Sequence, residues 1–289
     1  MDTSSSITNL FDVKGIVAVI TGGGSGLGLF MTRALATNGA KKVYILGRRK
    51  DVLNRAASEF KQGNVIPVQC DVTNQDELKA AVQFIEQDTG YINVLIANSG
   101  IAGPSGNVPA GANIAQVQEA LWKIPMQEFS NTFHVNCTAT FYTAIGFLGL
   151  LDAGNQNNSY PQGRSQVIAM SGIASFNRRV TAGFAYGASK SATTLMFKIL
   201  ATYLAPYRIR ANVLCPGLFP TDLTTGLING KNAAEEGAFP ADQIPAERAG
   251  MPQDIMGPLL YLVSRAGAYC NGNCVITDGG RLSVTPATY

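Results

Sequence analysis

Residues 15–28 read GIVAVITGGGSGLG, a β-branched apolar run that breaks into glycines. The apolar half has the composition of a strand covered on both faces. Beyond the glycines, Leu27, Phe30, Met31, Ala34 and Leu35 recur at helical spacing, and Asn38-Gly39 supplies a stop. Such a strand–glycine–helix passage gathers unpaired backbone N–H groups and the positive helix end at one point. A pyrophosphate can sit there against bare backbone. A strict G-x-G-x-x-G is not met, because Leu29 or Met31 occupies the third-glycine site, and a P-loop fails at Phe30. The frame that fits is G-x-x-x-G-x-G, made by Gly22, Gly26 and Gly28, with Ser25 and Leu27 inside it.

Outward from this point the pattern alternates. β-rich runs at 15–21, 42–47, 64–71, 92–100, 165–171, 208–217 and 273–280 are separated by helical stretches. That is the order of βαβ units, so the spacing predicts one doubly wound, Rossmann-type α/β domain over 1–289 with a mostly parallel seven-stranded sheet. Residues 1–10 read as a tail, and the polar stretches 102–125 and 152–164 as insertions. The stretch 218–250 holds Pro220, Gly226, Gly230, Gly237, Pro240 and Pro245 beside Leu218, Phe219, Leu223, Leu227, Ile228 and Phe239. It reads as a lid over an apolar substrate.

Composition narrows the function classes. A net charge of +3 without a basic run argues against nucleic acid or an anionic membrane. The uncharged stretch 129–151 is too rich in Asn, Thr and Ser to span a bilayer. The amino-terminal residues lack a secretory pattern, and five scattered cysteines fit reduced thiols, so a cytoplasmic location is expected. Cys270 and Cys274 do not make a zinc motif with the single histidine, His134, and no metal is expected. One histidine also argues against Ser-His-Asp hydrolysis.

Within FAYGASKSATTLMFKIL, Tyr186 and Lys190 stand four residues apart at the start of an amphipathic helix. That spacing points both the same way. An ammonium beside a phenol favours the phenolate and would lower the tyrosine pKa from its reference near 10, tuning it as a general acid or base.

TGGGSGLG, the run ANSG at 97–100, Asn136, Ser171, the Tyr186/Lys190 pair and PGLFPT at 216–221 occur in the order found in the short-chain dehydrogenase/reductase family. The chain resembles its single-domain members from about residue 11 to 280. The resemblance implies that Tyr186 protonates a substrate carbonyl oxygen as hydride arrives. It implies that Lys190 depresses the tyrosine pKa and holds the nicotinamide ribose, and that Ser171 hydrogen-bonds the carbonyl. Asn136 would hold a water linking Lys190 to solvent. Asn98 and Gly100 would line the cofactor, Asp71 and Val72 flank the adenine, and Phe219 and Thr221, in the loop opened by Pro216 and Gly217, meet the nicotinamide amide. Ser171 precedes Tyr186 by fifteen positions, about two more than is common, which keeps Ser175 as a second candidate.

The cofactor's 2′ end reads from ILGRRK at 45–50. Gly47 stands where NAD-preferring relatives carry an acid, and Arg48 and Arg49 follow. An arginine fork matches phosphate oxygens. The expectation is therefore NADP(H), with Arg48 ahead of Arg49. The implied activity is reduction of an apolar small-molecule ketone, of secondary-metabolite or 3-oxoacyl type, by a homodimer or homotetramer. A non-redox or regulatory dinucleotide-binding protein, and a dehydratase or epimerase, remain alternatives on the same residues.

Overall fold

A computed structural model describes residues 6–106, 108–157, 160, 163–180, 182–224, 228 and 232–288. The first described element is α1 (Ile7–Leu10), where the Ser6 side chain accepts from the Asn9 N–H. The stretch read as a tail thus carries a short capped helix. Alternation then follows as expected: β1 (Val17–Thr21), α2 (Gly26–Thr37), β2 (Lys42–Gly47), α3 (Lys50–Ser58), β3 (Val65–Gln69), α4 (Gln75–Asp88) and β4 (Val94–Ala97). The second half runs α5 (Ile114–Trp122), α6 (Met126–Phe133), a π-helical turn (His134–Thr138), α7 (Ala139–Gly146) and α8 (Leu148–Asn157). It ends with β5 (Gln166–Met170), α9 (Phe184–Tyr203), β6 (Arg210–Pro216), α10 (Pro252–Val263) and β7 (Cys274–Thr277).

Among the described residues the strands form one sheet in the order β3-β2-β1-β4-β5-β6-β7, every pair parallel. Successive strand residues face opposite sides. Val17 and Val19 of β1 enter the core under one helical layer, and Ala18 and Ile20 the core under the other, all fully buried. The chain winds outward from β1 to β3, then returns to β4 beside β1 and winds the other way. That reversal opens a crevice at the carboxyl edge between β1 and β4.

Three segments differ from the sequence reading. The insertion 102–125 contains α5, closed by a reciprocal capping box between Asn113 and Gln116. No residue of α5 is buried, so it lacks the apolar stripe that betrays a packed helix. The insertion 152–164 begins as the end of α8. In the stretch read as a lid, Leu218, Ala233, Ile244 and Ala249 gather a small core of their own, joined by Ile228 and Phe239. Ala246 N–H donates to Gly279 and Gly250 N–H to Leu218, which ties residues 246–250 to the chain just past β7 and just past β6. Gly226, Leu227 and Gly230 lie outside the described residues.

The last described residues fold back on the loop after β5. Asn177 bridges Ala287, Arg178 N–H donates to Pro286 and Thr288 N–H to Phe176, the latter two at 2.8 Å.

Candidate active site

A cleft of about 420 Å³ lies along the carboxyl edge of the sheet, running from the glycine loop to Tyr186. Gly22 and Gly26 hold φ of 65° and 51°, the left-handed region that glycine enters freely. At Gly28 the constraint is contact: a Cβ there would lie 2.0 Å from the Gly22 carbonyl oxygen. The loop is stitched to β4 by Asn98, whose side-chain amide donates to the carbonyls of Thr21 at 2.9 Å and Gly22 at 3.4 Å. In return Thr21 Oγ1 accepts from the N–H groups of Asn98 and Ser99. Such a backbone cradle at a helix N-terminus, with Ser25 and Leu27 on its wall, fits a pyrophosphate.

Further along, Gly47, Arg48, Arg49, Cys70, Asp71 and Val72 border the cleft. Both arginines are exposed at the mouth. Burial would raise the Asp71 carboxyl, but hydrogen bonds from Thr73 and the charge of Arg48 outweigh it and hold the pKa below its usual value. Arg48 and Asp71 both line this end of the cleft. Gly47, a turn before α3, presents no acid.

At the other end stand Tyr186 and Lys190, one turn apart on α9. Lys190 Nζ lies 5.7 Å from the centre of the Tyr186 ring and donates to the Met170 carbonyl at 2.8 Å. The expected lowering of the tyrosine pKa is not found. Burial raises the phenol, and the ammonium sits over the ring instead of bonding the hydroxyl. Burial also pushes Lys190 down to about 8, with Cys215 nearby opposing the shift.

Asn136 braces the site through its own hydrogen bonds. Its amide donates to Ile101 and Ser189 and accepts from Ile101 N–H, while its carbonyl accepts from Thr140 and Thr193. The π turn brings this amide under Gly100, where a Cβ would lie 3.0 Å from Asn136 Oδ1 and 3.4 Å from Lys190 Nζ. Ser171 borders the cleft at the strand end, with its hydroxyl donating to the Lys190 carbonyl at 3.0 Å and paired with Thr194 at 2.7 Å. Ser175, the second candidate, donates to the Gly172 carbonyl at 2.7 Å. The residue that faces the Tyr186 hydroxyl is Gly172, where a Cβ would lie 3.8 Å away.

Pro216 and Thr221 border the cleft, and a Cβ at Gly26 would lie 3.4 Å from Thr221 Cγ2. Phe219 does not border it. Its ring is buried at 2% exposure against Gly250, and its carbonyl accepts from Thr224. Gly217 packs on Asp278, where a Cβ would lie 2.7 Å from the Asp278 Cα. Met170, whose carbonyl anchors Lys190, went unnoticed in the sequence because any residue offers that group.

A nucleotide-sized cleft at the switch point of a doubly wound sheet, with a Tyr/Lys pair at one end, defines a class of dinucleotide-dependent protein. The short chain dehydrogenase profile matches residues 16–232. A short-chain dehydrogenase/reductase of Diaporthe leptostromiformis, PhomF, is 44% identical over 99% of this chain and 100% of its own length. VdtF of Byssochlamys spectabilis, also a short-chain dehydrogenase/reductase, is 43% identical over 98% and 97%. Among solved structures, a gluconate 5-dehydrogenase from Burkholderia cenocepacia in complex with NADP and tartrate superposes with a TM-score of 0.78 at 26% identity, covering 95% of this chain and 98% of that one. The chain belongs to the short-chain dehydrogenase/reductase family, whose members bind a nicotinamide dinucleotide. No helix among the described residues is long and apolar enough to cross a membrane.

Proposed function

We propose that this chain is an NADPH-dependent reductase of an apolar small-molecule ketone. The observation that carries the reading is one cleft with the glycine loop and Arg48 at one end and the Tyr186/Lys190 pair at the other. When bound, a reduced nicotinamide supplies hydride. The carbonyl carbon takes that hydride while Tyr186 gives its proton to the carbonyl oxygen, leaving an alcohol and a tyrosinate that solvent reprotonates. Burial keeps the phenol protonated at neutral pH, which suits the acid of a reduction. Below about pH 8 the Lys190 ammonium stands ready to stabilise the tyrosinate. For the cofactor's 2′-phosphate, Arg48 and Arg49 offer donors at a mouth where Gly47 brings no carboxylate. The NADP complex of the gluconate dehydrogenase is consistent with that choice.

A self-associating protein in the cytoplasm fits the surface. Leu195, Ile199 and Tyr203 stand one turn apart on α9 at 61%, 59% and 70% exposure, an apolar stripe that a second copy would cover. The cysteines are all free thiols.

The test offers NADPH with a panel of ketones and follows its oxidation. Wild-type protein is expected to turn over, and Tyr186→Phe to lose ~10²–10⁴-fold in rate while keeping its fold and NADPH affinity. A Phe variant with near-normal turnover would overturn the reading.

A further inference from the structure

We propose that Gly172 leaves the reacting carbonyl one hydrogen-bond donor short, so that the site selects ketones carrying that donor themselves. The substrate class is a carbonyl with a hydroxyl two carbons away, as in a 2-hydroxyaryl ketone or the enol of a 1,3-dicarbonyl. The inference deepens the reductase reading and rests on it.

The hydroxyls of the strand end and the turn after it are committed elsewhere. Ser171, 4% exposed, bonds the Lys190 carbonyl and Thr194, and Ser175 bonds the Gly172 carbonyl. The Asn136 amide faces Ile101 and Ser189. Tyr186 is then the hydroxyl that meets the carbonyl oxygen from this side. Glycine at 172 is required by neither backbone nor space. Its φ and ψ, both 164°, are extended and open to any residue. A Cβ would lie 3.6 Å from the Pro216 carbonyl oxygen, 3.8 Å from Tyr186 Oη and 4.0 Å from Ala174 N, all ordinary contacts.

What the missing side chain leaves is a small gap beside the Tyr186 hydroxyl, edged by a carbonyl. A substrate hydroxyl in that gap closes a six-membered ring onto its own carbonyl, so the oxygen that gains charge during hydride transfer accepts two hydrogen bonds. Loss of one such donor typically costs about 10²–10³-fold in turnover. A ketone with an internal donor escapes that loss, while a plain ketone suffers it.

The test compares 2-hydroxyacetophenone with its 4-hydroxy isomer, whose ring is similarly electron-rich but whose hydroxyl cannot reach the carbonyl. Wild-type kcat/KM is expected to favour the 2-hydroxy isomer by about tenfold or more. Gly172→Ser is expected to raise the 4-hydroxy isomer by about tenfold or more and erase the preference. Gly172→Ala, which fills the same space without a donor, should give no gain. Equal wild-type turnover of both isomers overturns the proposal and leaves the reductase reading standing, as does Gly172→Ala matching the serine variant. If neither isomer is turned over the proposal falls, and if a wide ketone panel is inert as well, the reductase reading falls with it.

Discussion

At Gly47 a side chain can be added without displacing anything, because the nearest atom to a Cβ there is Leu53 Cδ2 at 3.5 Å and the backbone is not left-handed. A carboxylate introduced here would face the same cleft mouth as Arg48 and Arg49. Gly47→Asp is therefore expected to repel a 2′-phosphate and accept a 2′-hydroxyl, shifting preference toward NADH. Arg48→Ala removes charged donors, each worth about 1.5–3 kcal/mol, and should weaken NADPH binding roughly 10- to 100-fold with little change for NADH. Dissociation constants of both cofactors with the three proteins check this; equal wild-type affinity for the two would sink the claim. Residue identity was legible for Gly22, Gly28 and the Tyr186/Lys190 pair because backbone approach and helical spacing are written in residue type. The facing of Ser171 was not. A serine at a strand end reads the same whether it turns toward the cleft or toward Thr194, and only packing against α9 decides.

Among the elements, the segment after β6 divides by what it borders. Amides of Ala246, Ala249 and Gly250 are bonded within the protein, and Ile244 and Ala249 belong to the small core. Thr221 and Leu223 border the cleft, with Leu223 55% exposed. Closure over a ligand is therefore expected of the amino-terminal part, which borders the cleft. On addition of NADP(H) and a ketone, amide exchange is expected to slow across residues 219–224, while 244–250, already protected, change little. Peptide-resolved exchange with mass detection distinguishes the two, and unchanged exchange at 219–224 would argue against a lid there. Glycines and prolines made the whole of 218–250 look like loop. The short local core escaped notice because its contacts join residues far apart in sequence and leave no period to read. By contrast α5 carried its capping box in plain view, Asn113 three before Gln116, but without a buried face its helix had no second signal.

For the whole molecule, Lys190 sets the function against stability. It is 5% exposed, holds one backbone acceptor, and its pKa falls to about 8 from an ordinary 10.5. Between those values the unfolded chain binds the proton that the folded chain has released. Stability contributed by this residue therefore rises as pH climbs from about 8 to 10.5 and is at its lowest below about 8. Lys190→Met removes the penalty, so it should be inactive yet more stable at pH 7, by up to about 3 kcal/mol, with the gap closing toward pH 10.5. Denaturant unfolding of both proteins across this range checks it; a gap that does not change with pH would count against a titrating buried lysine. The parallel seven-stranded sheet with helices on both faces was legible from alternation, whereas the strand order was not. The strap of residues 286–288 over 176–178 was not, since its bonds are backbone to backbone and carry no residue preference. That strap has a temporal meaning. Phe176 accepts from Thr288, 112 residues later. A ribosome adding ~5–20 residues per second needs on the order of ten seconds to cover that interval. During synthesis the loop between Ser171 and Tyr186 waits through that interval for the backbone partners that residues 286–288 bring to it.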